Sequence, residues 1–183
     1  MKNSNLTVIM AVTNEEILED SIGSYLEASV GFKSVNIVLA DLLCTEESAE
    51  ALKNVKAKFS QNVSVVNADK GTTRAEFYQY ELDKVSDGYV CFTESTVFLQ
   101  VSAIKFIKRL AKEKCNNNFE LSVRVRNKNE KFTVYSRLDG FSEFCNLNEA
   151  PHNAALAIYG YFFKAKDIKD IKFDFSIGEE SLK

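Results

Sequence analysis

The chain has 183 residues, of which 45% are hydrophobic, and this length and composition suit one domain with a substantial core. A single proline and seven glycines exclude fibrous and low-complexity classes. The net charge of -3, with no long block of one sign, argues against general nucleic-acid binding.

The cysteines and the apolar segments indicate where the protein resides. The four cysteines form no Cys-x-x-Cys pair, so we predict reduced thiols and neither a zinc ribbon nor a redox motif. The first residues include too few apolar side chains for a secretory signal, and no apolar run reaches the length of a membrane span. We therefore predict a cytoplasmic protein.

Buried strands and amphipathic helices alternate along the first part of the chain. Short apolar runs rich in β-branched residues predict strands at 6–12, 35–40, 63–66 and 89–92. Apolar residues at helical spacing predict helices at 17–30, 45–59, 74–85 and 101–114. Thr13 or Asn14 is the predicted cap of the first helix and Thr45 that of the second. This alternation predicts an α/β fold with an open, mainly parallel sheet flanked by helices.

The pattern changes in the second half of the chain. Alternating runs at 119–126 and 131–138, joined by a polar segment, predict an antiparallel hairpin. A further apolar run at 155–163 precedes a lysine-rich turn. Because no segment rich in Pro, Gly or Ser separates the halves, we expect a single domain over residues 1–183.

Polar residues follow three of the predicted strands. They are Thr13-Asn14-Glu15, Asp41 and Glu94-Ser95-Thr96. Ligands of open α/β sheets bind outside the carboxyl ends of the strands, so these groups should converge on one crevice. On spacing alone, ordinary turns between strands and helices are the favoured interpretation.

The motifs around these positions, in their order, resemble those of family 2 glycosyltransferases over almost the whole chain. Residues 11–15 correspond to a Pro-x-x-Asn-Glu-like motif in which Ala11 replaces the proline. Residues 40–46 correspond to an Asp-Asp-Gly-Ser-x-Asp-like motif of which Asp41 remains. Residues 69–77 correspond to Asn-x-Gly-x-Ser-x-Ala-Arg-Asn, with Glu76 and Phe77 replacing the last two residues. The resemblance implies nucleotide contacts at Thr13, Asn14, Glu15, Asp41, Lys70, Gly71 and Thr73.

Two further motifs of the family carry its chemistry. At the end of the fourth strand the family has Asp-x-Asp, which holds a divalent metal on the sugar diphosphate, and this chain has Glu94 and Thr96. The resemblance therefore implies a weakened site for Mg²⁺ or Mn²⁺. The family's final Glu-Asp pair, whose second member is the general base, corresponds to Glu179 and Glu180. Glu180 takes the base position.

The resemblance implies a GT-A-like open mixed sheet, with a nucleotide-binding half at 1–115 and an acceptor-side half at 116–183. It implies transfer of a sugar from a nucleoside diphosphate sugar to the hydroxyl of a glycan or lipid-linked acceptor, with inversion. Polysaccharide biosynthesis and peripheral association with the inner face of the membrane are further expectations, as is continuation of the chain beyond residue 183. The alternative is a catalytically inactive binding or scaffold domain. Rossmann and P-loop motifs are absent.

Overall fold

The computed structural model describes residues 1–114, 116–121, 123–126, 132–135, 141–144 and 159–172. In this part the chain has the predicted α/β fold. The strands are β1 Asn5–Val12, β2 Ser34–Asp41, β3 Val63–Val66, β4 Tyr89–Glu94, β5 Val97–Leu99, β6 Asn118–Leu121, β7 Val123–Arg126, β8 Phe132–Tyr135, β9 Phe141–Phe144 and β10 Tyr161–Lys164. The helices are α1 Leu18–Leu26, α2 Glu46–Lys58, α3 Arg74–Leu82, α4 Val101–Lys112 and α5 Ala165–Ile168, and the 3₁₀ turn Glu27–Val30 continues α1.

Seven of the described strands form one mixed sheet in the order β3-β2-β1-β4-β10-β6-β9. The first four are parallel, and β10 then pairs antiparallel with both β4 and β6. A second, antiparallel sheet has the order β5-β7-β8. The predicted open mixed sheet and the predicted hairpin, which is β7-β8, are therefore both confirmed.

The predicted strand 119–126 is divided between the two sheets. Phe119 pairs with Phe162 in the large sheet, whereas Val123 pairs with Tyr135 in the small one. The strands β5 and β9 were not predicted. Of the apolar run 155–163, the structure describes residues 159–163, and the last three of these belong to β10.

The central strand β1 separates two hydrophobic cores. Val8 and Met10 face the core that is covered by α1 and α4. Ile9 and Ala11 face the core beneath α3 and α5. All four side chains are fully buried, as predicted for a parallel strand covered on both faces. This arrangement fixes the carboxyl end of β1 in the middle of the sheet edge.

Two helix starts and one turn control where the chain enters and leaves the sheet. Thr45 caps α2 as predicted, in a reciprocal capping box with Ser48. The cap predicted for α1 is wrong, because that helix begins after Ile17 without a side-chain cap. Gly88 precedes β4 with a φ of 87°, and a Cβ there would lie 2.5 Å from the Asn5 carbonyl oxygen. The backbone approach at that turn therefore requires glycine.

None of the helices in the described part of the chain combines the length and apolar character that crossing a bilayer requires.

Candidate functional site

The carboxyl ends of β1, β2 and β4 meet at one edge of the large sheet. Val12 is in register with Asp41 on one side, and Ala11 is in register with Glu94 on the other. The predicted convergence of the three strand ends is therefore observed. Thr13 follows β1 directly and lies between the other two ends.

Ser95 ties the loop after β1 to the end of β4. Its buried hydroxyl accepts hydrogen bonds from the backbone N–H groups of Thr13, at 3.1 Å, and Asn14, at 2.9 Å. The Asn14 side chain accepts from the Glu16 N–H at 3.0 Å, so it shapes this loop locally. The backbone of Thr13 and Asn14 thus joins two strand ends, and neither side chain caps α1, which begins at Leu18.

The Glu94 carboxylate is enclosed by three donors. Its Oε2 accepts a hydrogen bond from the Thr13 hydroxyl at 3.2 Å. Its Oε1 forms an ion pair with the Arg74 guanidinium and accepts from the Tyr159 hydroxyl. Arg74 Nη1 also donates to the Tyr159 oxygen at 3.0 Å. The side chains of Glu94 and Arg74 are only 10% and 19% exposed, so the pair is largely shielded from water.

Two buried tyrosines hold β4 one residue before Glu94. The Tyr78 hydroxyl donates to the Thr93 carbonyl oxygen at 2.6 Å, and the Tyr25 hydroxyl lies 2.7 Å from Thr93 Oγ1. Burial raises the pKa of both tyrosines well above the ordinary value, so both remain protonated. They fix the strand from opposite faces, and this fixes the origin of the Glu94 side chain.

The metal site that the resemblance implies does not fit these residues. Both Glu94 oxygens already accept from protein donors, one of them a cation. Thr96 lies in the turn between β4 and β5, where its carbonyl accepts from the Arg126 N–H at 2.9 Å. Among the residues that the structure describes, no three His, Cys, Asp or Glu side chains form a group able to hold a metal ion.

Asp41 shapes the turn that follows β2. Its Oδ1 accepts from the N–H groups of Leu43 and Cys44, both at 3.0 Å, and its Oδ2 accepts from the Ser48 hydroxyl at 2.6 Å. Asp41 also lines a cavity of about 540 Å³ between α2 and β3. The carboxylate therefore orders the backbone beside the strand ends.

The loop before α3 forms the opposite wall of the site. The Thr72 N–H donates to the Asp69 carbonyl at 2.9 Å, and Gly71 has a φ of 94° with open space around its Cα. Thr73 then caps α3 in a reciprocal box with Glu76. These hydrogen bonds lower the pKa of the exposed Glu76 carboxyl. The Thr73 cap therefore fixes the position of Arg74, the first residue of α3.

A cleft of about 400 Å³ lies between these walls. It is lined by Val12, Thr13, Leu42, Leu43, Gly71, Thr72, Thr73 and Arg74. Of the predicted nucleotide contacts, Thr13, Gly71 and Thr73 line this cleft. Asn14 and Glu15 lie in the adjoining loop, and Lys70 is exposed beside Gly71. Glu179 and Glu180, the predicted catalytic pair, lie outside the described residues.

Arg74 is the member of the site that the sequence did not reveal. The resemblance placed an arginine at position 76, which is Glu76 here, and the guanidinium comes from the first residue of the helix instead. One signal was present in the sequence, because Arg74 is the only arginine in the first 108 residues. Its partner Glu94 belongs to a different element, so local spacing could not connect them.

No family model and no curated protein matches the sequence. Several solved structures share the fold. The structure of S. aureus TarS 1-349 has a TM-score of 0.61 at 15% identity, over 93% of this chain and 49% of that one. The complex of TarS 1-349 with UDP has a TM-score of 0.57 at 14% identity, over 93% of this chain and 48% of that one. The mannosyltransferase PcManGT from Pyrobaculum calidifontis, in complex with GDP-Man and Mn²⁺, has a TM-score of 0.50 at 14% identity, over 64% and 35%.

These likenesses show a GT-A-like α/β fold. The chain spans about a third to a half of the length of these structures.

Proposed function

We propose that this chain is a family 2 glycosyltransferase-like domain that binds a nucleoside diphosphate sugar in the strand-end cleft. The cleft itself carries the proposal. It lies at the carboxyl edge of the parallel strands in a GT-A-like fold, where open α/β sheets bind ligands. The Gly71 loop supplies an open backbone on one side and Arg74 supplies a cation for the diphosphate.

The proposed reaction transfers the sugar to an acceptor hydroxyl in one displacement that inverts the anomeric centre. Thr13 lines the cleft against the nucleotide, and Asn14 and Glu15 lie in the adjoining loop. Asp41 acts by ordering the neighbouring turn. Glu180 accepts the proton of the acceptor hydroxyl, with Glu179 beside it. A glycan or a lipid-linked glycan at the inner face of the membrane is the proposed acceptor, in polysaccharide biosynthesis.

A second candidate function is nucleotide-sugar binding without transfer. The ion pair between Glu94 and Arg74 favours it, because the carboxylate at the position of the family's metal motif is engaged by a protein cation. The two candidates share the binding step and differ in turnover.

Binding is tested by calorimetric titration of UDP, GDP, UDP-GlcNAc and GDP-Man into the purified chain, each with Mn²⁺ and with EDTA. Replacing Thr72 with Trp would fill the cleft and should abolish binding. Replacing the exposed Ser102 of α4 with Trp is the matched control and should leave binding unchanged. If no nucleotide or nucleotide sugar binds under either condition, the proposed function is wrong.

Turnover is tested by following the release of UDP or GDP from the donor that binds, with a cell-envelope glycan and lipid extract as the source of acceptor. Glu180→Gln should keep donor binding and lose release, whereas Glu113→Gln, at the residue that follows α4, should change neither. A wild-type chain that binds its donor and releases nothing would support the non-catalytic candidate instead.

A further inference from the structure

The cation that contacts Glu94, at the end of β4, is a side chain of the protein itself, the Arg74 guanidinium. We propose that the Arg74 guanidinium takes the part of a divalent metal in this cleft, and exchanges Glu94 for the diphosphate oxygens of the ligand. The proposal rests on the proposed function and adds to it that donor binding needs no metal. We base this proposal on the finding that Glu94, at the position of the implied metal motif, is engaged by a protein cation and does not suit a metal ion.

The position of Arg74 permits this exchange. The side chain lines the cleft and also reaches Glu94, so it connects the ligand space with the buried carboxylate. Its backbone is held at the start of α3 by the Thr73 cap. Its guanidinium is also held by the Tyr159 oxygen at 3.0 Å. Because the arginine side chain has several rotatable bonds, the guanidinium can turn from Glu94 toward the cleft while the backbone of α3 stays in place.

The chemistry of the guanidinium suits a diphosphate. Arginine is charged at every physiological pH, and its planar fork of N–H donors matches phosphate oxygens in a bidentate manner. A nucleoside diphosphate sugar brings two negative charges to the cleft. Lys70, exposed on the same loop, places a second cation at its margin.

Glu94 keeps two hydrogen-bond donors when Arg74 turns to a ligand. The Thr13 hydroxyl, at 3.2 Å, and the Tyr159 hydroxyl continue to donate to its two oxygens. The exchange therefore leaves no carboxylate without a donor, which would otherwise oppose it. In the absence of ligand, Glu94 neutralises the cation and competes with anions for it.

The experiment measures the affinity of UDP, GDP and inorganic pyrophosphate for the whole chain, in EDTA and in Mn²⁺. We expect the same affinity in both. Arg74→Met should weaken binding by about tenfold to a hundredfold, the loss expected for hydrogen bonds to a charged group. Glu94→Gln should strengthen it, because the competing carboxylate is removed. Arg109→Met, an exposed arginine on α4, is the matched control and should have no effect.

The double variant Arg74→Met with Glu94→Gln separates loss of the cation from loss of the fold. It buries no unpaired charge, so it should fold and still bind weakly. A requirement for Mn²⁺, or EDTA-resistant binding that Arg74→Met does not weaken, would overturn the inference and leave the proposed function standing. Arg74-dependent binding of pyrophosphate without binding of UDP or GDP would support the inference and refute the nucleotide-sugar function. No binding of any of the three would overturn both.

Discussion

Removal of the Arg74 guanidinium should destabilise the fold, because it leaves the Glu94 carboxylate without its cation in a site that is only 10% exposed. Removing one partner of a buried ion pair typically costs about 3–5 kcal/mol. Two hydroxyls still donate to Glu94, and Arg74 borders the open cleft. We therefore expect Arg74→Met to cost about 3 kcal/mol, at the lower end of that range.

Replacing Glu94 with Gln keeps the shape of the side chain and should cost about 1 kcal/mol, because the cation that remains borders the cleft and can be hydrated. The double variant should cost less than Arg74→Met alone. The resulting coupling energy should be about 2 kcal/mol, within the range for residues in direct contact. Each free energy of unfolding is measured by urea titration with far-UV circular dichroism. If the two single changes add to within about 0.5 kcal/mol, the ion pair does not form in solution and the reasoning is refuted.

Three further predictions concern the framework around the cleft. Thr73→Ala should lower the free energy of unfolding by about 1 kcal/mol, because its hydroxyl caps the first turn of α3, and an unchanged urea midpoint would contradict this cap. Gly88→Ala should cost at least about 2 kcal/mol and Gly71→Ala about 1 kcal/mol, since both need a positive φ but only Gly88 has a backbone oxygen against its Cβ position. Equal losses would argue against that close approach. A thiol reagent should modify the exposed Cys44 in the folded protein and Cys91 only after unfolding, because Cys91 is buried and burial raises the pKa of its thiol. Peptide mapping of the modified positions checks this.

The parallel part of the fold could be predicted because each strand carries its own signal. The run at 6–12 is apolar except for Thr7, which is typical of a strand covered on both faces, and β1 is such a strand. No sequence feature marks the boundary between β6 and β7. Leu121 and Val123 continue the same alternation, and only their pairing partners place them in different sheets. Tertiary pairing, rather than local pattern, decides that break.

The sequence predicted where the site lies, but it predicted only some of the side-chain contacts within it. The sequence indicated that Thr13, Asp41 and Glu94 would meet, since parallel strands present their carboxyl ends at one edge. It could not indicate that Arg74 would engage Glu94 or that the Ser95 hydroxyl would hold the β1 loop. Both are contacts between separate elements, and they depend on side-chain reach after the helices have packed.

The segment at the end of β4 departs from the family's metal motif, and its contacts show how the replaced residues are used. Thr93 is held by two buried tyrosines, Glu94 by a cation and two hydroxyls, and Ser95 joins β4 to the loop after β1. Keeping a carboxylate buried is costly unless it is paired, and the Arg74 guanidinium supplies that pairing for Glu94. The proposed anion binding therefore depends on whether a ligand can compete with Glu94 for the same cation, and the Arg74→Met and Glu94→Gln variants measure this.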